Sequence, residues 1–479
     1  MPYKDLRDFL ERLESEGQLL KVQKEVLPEP DIGAAAYAAG QIPSGPAVLF
    51  EKIRGYDRKK VVMNVHGSWR NYALMLDLPI DTPLRQLFHE LVKRSDRFPI
   101  SPKVVGRAPL KETILTKNIN IFEILPVFRV NDYDGGPYLS KAVMVSKDPE
   151  DPKNQNLGIY RLQVKDKDRL GIQTSPQHDI AVNLRKAEEL NQPLPVAIAV
   201  GNDPVLTLAA GMPLQYDEDE YEMAGALRGE PAEIIRAETV DLMVPAGAEV
   251  VLEGEIVPRK RTIEGPFGEY PGFYSPTMKQ AEIKIKAITL RKDPIIFENL
   301  YIGKPWSEHD YLIGPITSVT LYRQLKAMAP EVVSVNAMYC HGYGTIVSTK
   351  LRMAGYAKIV AAKLLATPHG LVYPKFIVIV DEDIDPFNLN EVMWALVTRF
   401  RPDRDLILIP NAPGSTLDPT GYPRGLVTRM ILDATKPVPP DLPLEGLSLL
   451  IPPKEAPEWV ELLNLMIGKK GGTRVLSEM

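Results

Sequence analysis

At 479 residues the chain exceeds what one hydrophobic core usually serves, so two or three domains are expected, and 44% hydrophobic with 25% charged residues excludes wholesale disorder. The net charge of -5 arises from many charges of both signs, without the basic excess that attracts a nucleic-acid backbone, and no stretch is long and apolar enough to span a bilayer. The single cysteine, Cys340, excludes an intrachain disulfide and a thiolate-rich metal cluster.

Over residues 4–16, Leu6, Phe9, Leu10 and Leu13 share one helical face among charges, unlike the apolar core of a signal peptide, which predicts a soluble, cytoplasmic protein. Short strands at 47–50 and 60–64 and a helix at 82–94 complete an α/β lobe over 1–111. From about Glu112 the pattern changes: alternation at 158–164, 249–257 and 282–288, broken by Gly, Pro and Asp, predicts a β-rich barrel or sandwich over 112–302. A helix at 318–328, a strand near 344–348, a helix at 354–365, an apolar run at 376–380, a helix at 389–399 and a strand at 405–409 predict a third, α/β lobe over 303–479. The fold class is therefore mixed α/β (α+β), and the 44 prolines, many of them between elements, predict stiff connections.

Three segments could carry chemistry. In Asn156-Leu-Gly-Ile-Tyr-Arg-Leu-Gln163, alternation puts Tyr160 and Leu162 on one face and Arg161 and Gln163 on the other. Alone, such an arginine is more often a surface charge than a carboxylate clamp, and His178 downstream more often a cap than a ligand. After Gly211-Met212-Pro213, the run Asp217-Glu-Asp-Glu220-Tyr-Glu222 reads as a solvated first turn of a helix, with room for one acid to face inward as a hard oxygen ligand. Ile263-Glu264-Gly-Pro-Phe-Gly-Glu269 sets two carboxylates around a turn, which suits proton transfer and equally a surface bend. Paired carboxylates also suit a glycosidase, but nothing else marks a sugar site. Cys340 beside His341 invites a nucleophile; strand neighbours point to opposite faces, however, so a small buried thiol is expected.

The order and spacing of Asn156-Leu-Gly-Ile-Tyr-Arg161, Glu220-Tyr-Glu-Met-Ala-Gly225, Glu264-Gly-Pro-Phe-Gly-Glu269 and Val392-Met-Trp-Ala395 with Thr398-Arg399 make the whole chain resemble the UbiD family of decarboxylases, which use prenylated flavin mononucleotide (prenylated FMN). The resemblance implies a split β-barrel of flavin reductase type in the middle and a C-terminal lobe that dimerises, giving a homodimer or a higher assembly such as a hexamer. It implies reversible, non-oxidative decarboxylation of an aromatic acid through a covalent flavin adduct. Arg161, Glu264 and Glu269 are then the catalytic triad, with Glu269 returning a proton to carbon once CO2 has left. The chemistry is coherent, because losing CO2 from an sp2 carbon leaves charge that no side chain here can take up. Also implied are a divalent ion, Mn2+ or Mg2+, on Asn156, His178 and Glu220, with K+ beside it. Flavin contacts would come from Ile159, Tyr160, Arg161, Gln177, Met212 and Lys350, the lysine suiting the phosphate as a point charge. A flavin prenyltransferase would supply the cofactor.

Within that family, Tyr301-Ile-Gly-Lys-Pro-Trp306-Ser-Glu308-His309-Asp-Tyr-Leu312 and Met338-Tyr-Cys-His341-Gly look like hydroxyarylic acid decarboxylases acting on 4-hydroxybenzoate, vanillate or protocatechuate. This implies a pocket in which Trp306 and Leu312 sandwich the ring and Glu308, His309 or His341 meets the phenol, with wall from residues 411–419. His309 departs from the apolar residue of that pattern, which keeps furan, pyrrole and other heteroaromatic acids open. A flavin-free, metal-dependent lyase or hydrolase would use Asn156, His178 and Glu220 but gives no reason for an arginine between two glutamates.

Overall fold

The computed structural model describes residues 3–176, 178–292, 294–304, 306–438, 450 and 453–469, and the chain divides into two compact units, 1–436 and 437–479. The second unit contains the helix Ala456–Lys469. No helix among the described residues is long and apolar enough to cross a membrane.

The first unit opens as its sequence pattern predicts. Asp5 caps the helix Leu6–Ser15 by accepting from the Arg7 and Asp8 N–H groups, and Leu6, Phe9, Leu10 and Leu13 are all buried. A four-stranded sheet follows, ordered Leu19–Val22, Ala47–Phe50, Lys59–Met63 and Ile295–Glu298. Its last strand comes from far along the chain and pairs parallel with Lys59–Met63, so the N-terminal layer is closed by residues beyond the middle region. One hydrophobic cluster accordingly runs from Tyr3 to Val319.

The middle region is a nine-stranded, wholly antiparallel sheet. Its main path runs Tyr138–Leu139, Leu162–Asp166, Arg169–Ile172, Met278–Leu290, Val250–Glu264, Leu194–Val200, Val143–Lys147, Gln155–Ile159, with Thr113–Leu115 added on Met278–Leu290. Among the described residues the first and last strands of that path are not paired with each other. The single strand expected at 158–164 is a correction: it is two strands, Gln155–Ile159 and Leu162–Asp166, broken at Tyr160-Arg161. Gln155–Ile159 pairs with Val143–Lys147, whereas Leu162–Asp166 pairs with Arg169–Ile172, so the chain crosses from one end of the path toward the other at that point. Arg161 therefore sits at a corner, free of the alternation that would have fixed its face.

The long helix Glu308–Met328 begins earlier than the pattern predicts, because Ser307 and Asp310 form a capping box ahead of the Gly314-Pro315 pair that reads as a break. Gly314 is required there: a Cβ would stand 2.9 Å from Met338. The helix packs on a five-stranded sheet ordered Val332–Tyr339, Gly344–Thr349, Phe376–Asp381, Leu426–Ala434, Leu406–Pro413, with helices Tyr356–Leu365 and Leu389–Arg399 on the same lobe.

Where the three layers meet lies a buried ion cluster. Lys141 Nζ is 2.7 Å from Glu298 and 2.5 Å from Glu308, and all three side chains are out of solvent. Glu308 also accepts from the Asn64 and His66 N–H groups at 2.8 and 3.0 Å. Burial alone would raise its pKa, but Lys141, followed by His66, outweighs that and holds it at about 2. Because the folded pKa is depressed, this stability is present above the ordinary carboxylate range and is lost as pH falls toward about 2. Lys141→Ala would strand two buried carboxylates and should cost about 3–5 kcal/mol in chemical unfolding at neutral pH. Loss of the exposed Arg54–Glu25 pair should cost under about 1 kcal/mol. Equal effects in the two variants would contradict this account of the layer junction.

Candidate active site

The corner at Arg161 opens onto a cavity of about 340 Å³. Arg161 is 8% exposed, its Nε and Nη2 donate to Glu264 at 3.1 and 2.7 Å, and its Nη1 donates to Glu269. The two glutamates reach it from opposite sides of one turn. Glu264 is the last residue of the strand Val250–Glu264, and Gly265 at φ +86° bends the chain back so that Glu269 faces the same guanidinium. Phe267, within that turn, lies under the guanidinium at 5.3 Å. Burial would lower the arginine's pKa, but Glu269 and Glu264 overcome it, so the cation is held. Burial raises the Glu269 carboxyl above its usual range despite Arg161. Glu269 lines the cavity, while Glu264 is wholly buried behind the arginine.

Three further elements add polar side chains to the cavity wall. Asn156 lies on the strand Gln155–Ile159, His178 precedes the helix Asp179–Glu189, and Glu220 opens the helix Glu220–Arg228; all three line the cavity. Asn156 Oδ1 and His178 Nδ1 are buried without a hydrogen-bond partner among the described residues. Asn156 Nδ2 is 3.4 Å from Glu220 and 3.3 Å from Asp179, a carboxylate that sequence reasoning did not single out. Burial drives the Glu220 pKa well up and lowers that of His178 to about 4, leaving a neutral imidazole with a lone pair. The unpartnered Asn156 Oδ1, close to Glu220 and Asp179, offers the oxygen donors a hard divalent cation takes, while among the described residues no three His, Cys, Asp or Glu side chains stand together as a metal cluster. Ile159, Tyr160 and Met212 line the same cavity.

The far end is aromatic and polar. His309 stacks on Tyr270 at 5.3 Å and 7°, and His341 packs between Tyr270 and Tyr373 at 5.2 and 4.5 Å, with His369 at 5.6 Å. His341 is turned inward by a left-handed run, Cys340, His341 and Gly342 at φ 47°, 57° and 90°. This corrects the expectation that Cys340 and His341 share a strand. His309 Nδ1, His341 Nδ1 and His369 Nε2 are buried and unpaired among the described residues. Burial lowers their pKa values, to about 4 for His309 and about 3 for His369, so these rings are neutral near pH 7. Leu312 adds apolar wall, and Ser415, Thr416 and Leu417 line the cavity from the expected 411–419 segment.

Three expected site residues lie elsewhere. Lys350 follows the strand Gly344–Thr349 onto the surface, 62% exposed, and pairs with Glu382 at 3.1 Å. Trp306 packs edge-on against Trp69 at 6.1 Å in a separate cavity that also touches Tyr311, Tyr339 and Phe387. Glu308 belongs to the Lys141 cluster: one helical step of about 100° separates it from His309, so only the histidine reaches the cavity. Gln177 lies outside the described residues. Tyr270, His369 and Tyr373 were missed. Four of the six histidines, His178, His309, His341 and His369, line this one cavity, a gathering that their scattered positions in the sequence do not signal.

Comparison with known proteins gives the family. Three consecutive family models match, described as the 3-octaprenyl-4-hydroxybenzoate carboxy-lyase N-terminal domain over residues 10–91, Rift-related domain over 103–305 and C-terminal domain over 310–434. The chain belongs to the UbiD family of carboxy-lyases. It is 55% identical over 473 residues to the phenolic acid decarboxylase of Sedimentibacter hydroxybenzoicus, covering 97% of this chain and 98% of that protein. Its fold is similar to vanillic acid decarboxylase from the same organism in closed form, with a TM-score of 0.91 at 55% identity over 97% of this chain and 99% of that one. It is similar, too, to an evolved dimeric form of the UbiD-class enzyme HmfF from Pelotomaculum thermopropionicum in complex with prFMN, with a TM-score of 0.79 at 32% identity over 94% and 97% of the two chains.

Proposed function

We propose that this protein decarboxylates hydroxylated aromatic acids, reversibly and without net oxidation, with the aid of a prenylated flavin. The observation that carries this reading is the Arg161 guanidinium held between Glu264 and Glu269 in the wall of a cavity whose other end bears neutral histidines. The prFMN complex of the UbiD-class relative supports a flavin here. When bound, the flavin supplies the electron sink that no side chain offers.

The chain's own residues do the rest. With both glutamates ionised the triad carries a net negative charge; with Glu269 protonated it is neutral, so a substrate carboxylate enters when Glu269 holds its proton. The raised pKa of Glu269 keeps that proton available for transfer to ring carbon after CO2 leaves. Glu264 keeps the guanidinium oriented from behind. Mn2+ or Mg2+ would be held by Asn156, His178 and Glu220, the first two offering an unpartnered Oδ1 and Nδ1, and would supply positive charge for the flavin phosphate. The N-terminal ends of the helices Asp179–Glu189 and Glu220–Arg228 lie at these residues and favour an anion. A neighbouring K+ and cofactor supply by a flavin prenyltransferase belong to the same proposal.

At the far end a buried phenol needs a partner, and His309, His341 and His369 each have a ring nitrogen to offer. That favours 4-hydroxybenzoate, vanillate and protocatechuate, and the relatives named for phenolic and vanillic acids lend support. Furan and pyrrole carboxylates, the alternative, carry a ring heteroatom but no hydroxyl projecting from the end remote from the carboxylate to meet the histidines. A flavin-free hydrolase leaves the triad without a role. Met393, Trp394 and Val397, exposed on the helix Leu389–Arg399, suit a homodimer formed through the C-terminal lobe.

Turnover should be faster on the three hydroxybenzoates than on benzoate or cinnamate, measured by CO2 release and by exchange of labelled bicarbonate, and a preference for cinnamate or furoate would refute the substrate class. Glu269→Gln should retain metal and flavin while losing about 10²-fold or more in kcat. His178→Ala should fold yet purify with little divalent metal or flavin by elemental analysis and absorbance; full retention of both would remove the proposed metal site.

A further inference from the structure

We propose that Tyr138 is a positioning residue for the arginine clamp, acting through Glu264; the idea rests on the decarboxylase reading above. Tyr138 lies on the strand Tyr138–Leu139, which pairs antiparallel with Leu162–Asp166 so that Tyr138 stands opposite Gln163, two residues beyond Arg161. Its side chain is fully buried, and its hydroxyl donates to Glu264 Oε1 at 3.0 Å. The same oxygen accepts Arg161 Nε at 3.1 Å, while Oε2 takes Arg161 Nη2 at 2.7 Å. Glu264 does not line the cavity, so whatever it contributes to the reaction passes through Arg161.

Tyr138 grips the site twice. Its ring packs on Phe267 at 4.4 Å, and Phe267 carries the Arg161 guanidinium over its face at 5.3 Å. The hydroxyl fixes the carboxylate and the ring fixes the floor beneath the cation. The segment leading into Tyr138 also holds the turn between the glutamates: Asp134 accepts the Gly268 N–H at 2.8 Å, and the Gly135 N–H donates to Pro266 O at 2.7 Å. The fit is close, since a Cβ on Gly135 would stand 2.2 Å from Gly265 O. Burial, reinforced by the Glu264 charge, raises the tyrosine's pKa far above neutrality, so the hydroxyl remains a donor at any working pH. Without it, Glu264 Oε1 keeps only the Nε contact. The carboxylate can then rotate, and the guanidinium shifts toward Glu269, away from the orientation that receives a substrate carboxylate.

The test is a double-mutant cycle on flavin-loaded enzyme turning over vanillate. Tyr138→Phe keeps the ring and should leave flavin content and thermal midpoint at wild-type values, with KM within about threefold and kcat lowered about tenfold, the scale of one hydrogen bond to a charged group. In a Glu264→Gln background, adding Tyr138→Phe should change kcat by less than about twofold, because the group it positions is already gone. Losses that multiply, an unchanged kcat in the single variant, or lost flavin or thermal stability in Tyr138→Phe would each overturn the positioning role. Wild-type enzyme that turns over no aromatic acid would overturn the decarboxylase reading with it, whereas active wild type with independent variants would overturn the role of Tyr138 alone.

Discussion

A guanidinium taken out of water must be surrounded by anions, and at Arg161 the fold supplies two, Glu264 and Glu269, at either end of a five-bond turn in the chain. Much else follows from that requirement. The central sheet must break at Tyr160-Arg161 so that the arginine stands at a corner and not in a ladder. The turn after Glu264 must double back, which Gly265 permits and Asp134 and Gly135 secure. Charge balance then leaves one carboxyl in excess. Burial raises the carboxyl of Glu269, the member that meets the cavity, above its ordinary range.

The cavity has two walls of different origin. The central sheet contributes Arg161, Glu269 and Tyr270, and the C-terminal lobe contributes His341, His369, Tyr373 and Ser415. Tyr270 joins them, its hydroxyl 2.9 Å from that of Tyr343 and 3.3 Å from Ser415 Oγ. The cavity therefore runs from a charged end to a neutral, histidine-lined end with side chains from both walls.

Sequence motifs led to the cavity wall where local pattern and geometry coincide. Asn156, His178 and Glu220, named from three separate segments, all line one cavity, and Arg161 stands between Glu264 and Glu269. Motifs failed where facing is decided by tertiary contacts. Nothing local distinguishes Glu308 from His309, yet Lys141, far away in sequence, claims the glutamate. The family resemblance placed Lys350 at the flavin phosphate, but the strand ends before it and Glu382 holds it at the surface. Trp306 is drawn to Trp69 and Tyr311. His369 and Tyr373 sit in irregular chain between the helix Tyr356–Leu365 and the strand Phe376–Asp381, where no periodicity marks an inward face. The long helix Glu308–Met328 was seen only in its second half, since Gly314 and Pro315 hide a run stabilised by its cap and by close packing.

The central claim, that the buried clamp serves a flavin held in this cavity, is tested most directly on the purified protein itself. After co-expression with a flavin prenyltransferase, the absorbance spectrum and the mass of the released cofactor should reveal a flavin bound near one per chain and heavier than FMN by a prenyl modification. Protein that emerges colourless and flavin-free under those conditions, yet decarboxylates aromatic acids, would contradict the account.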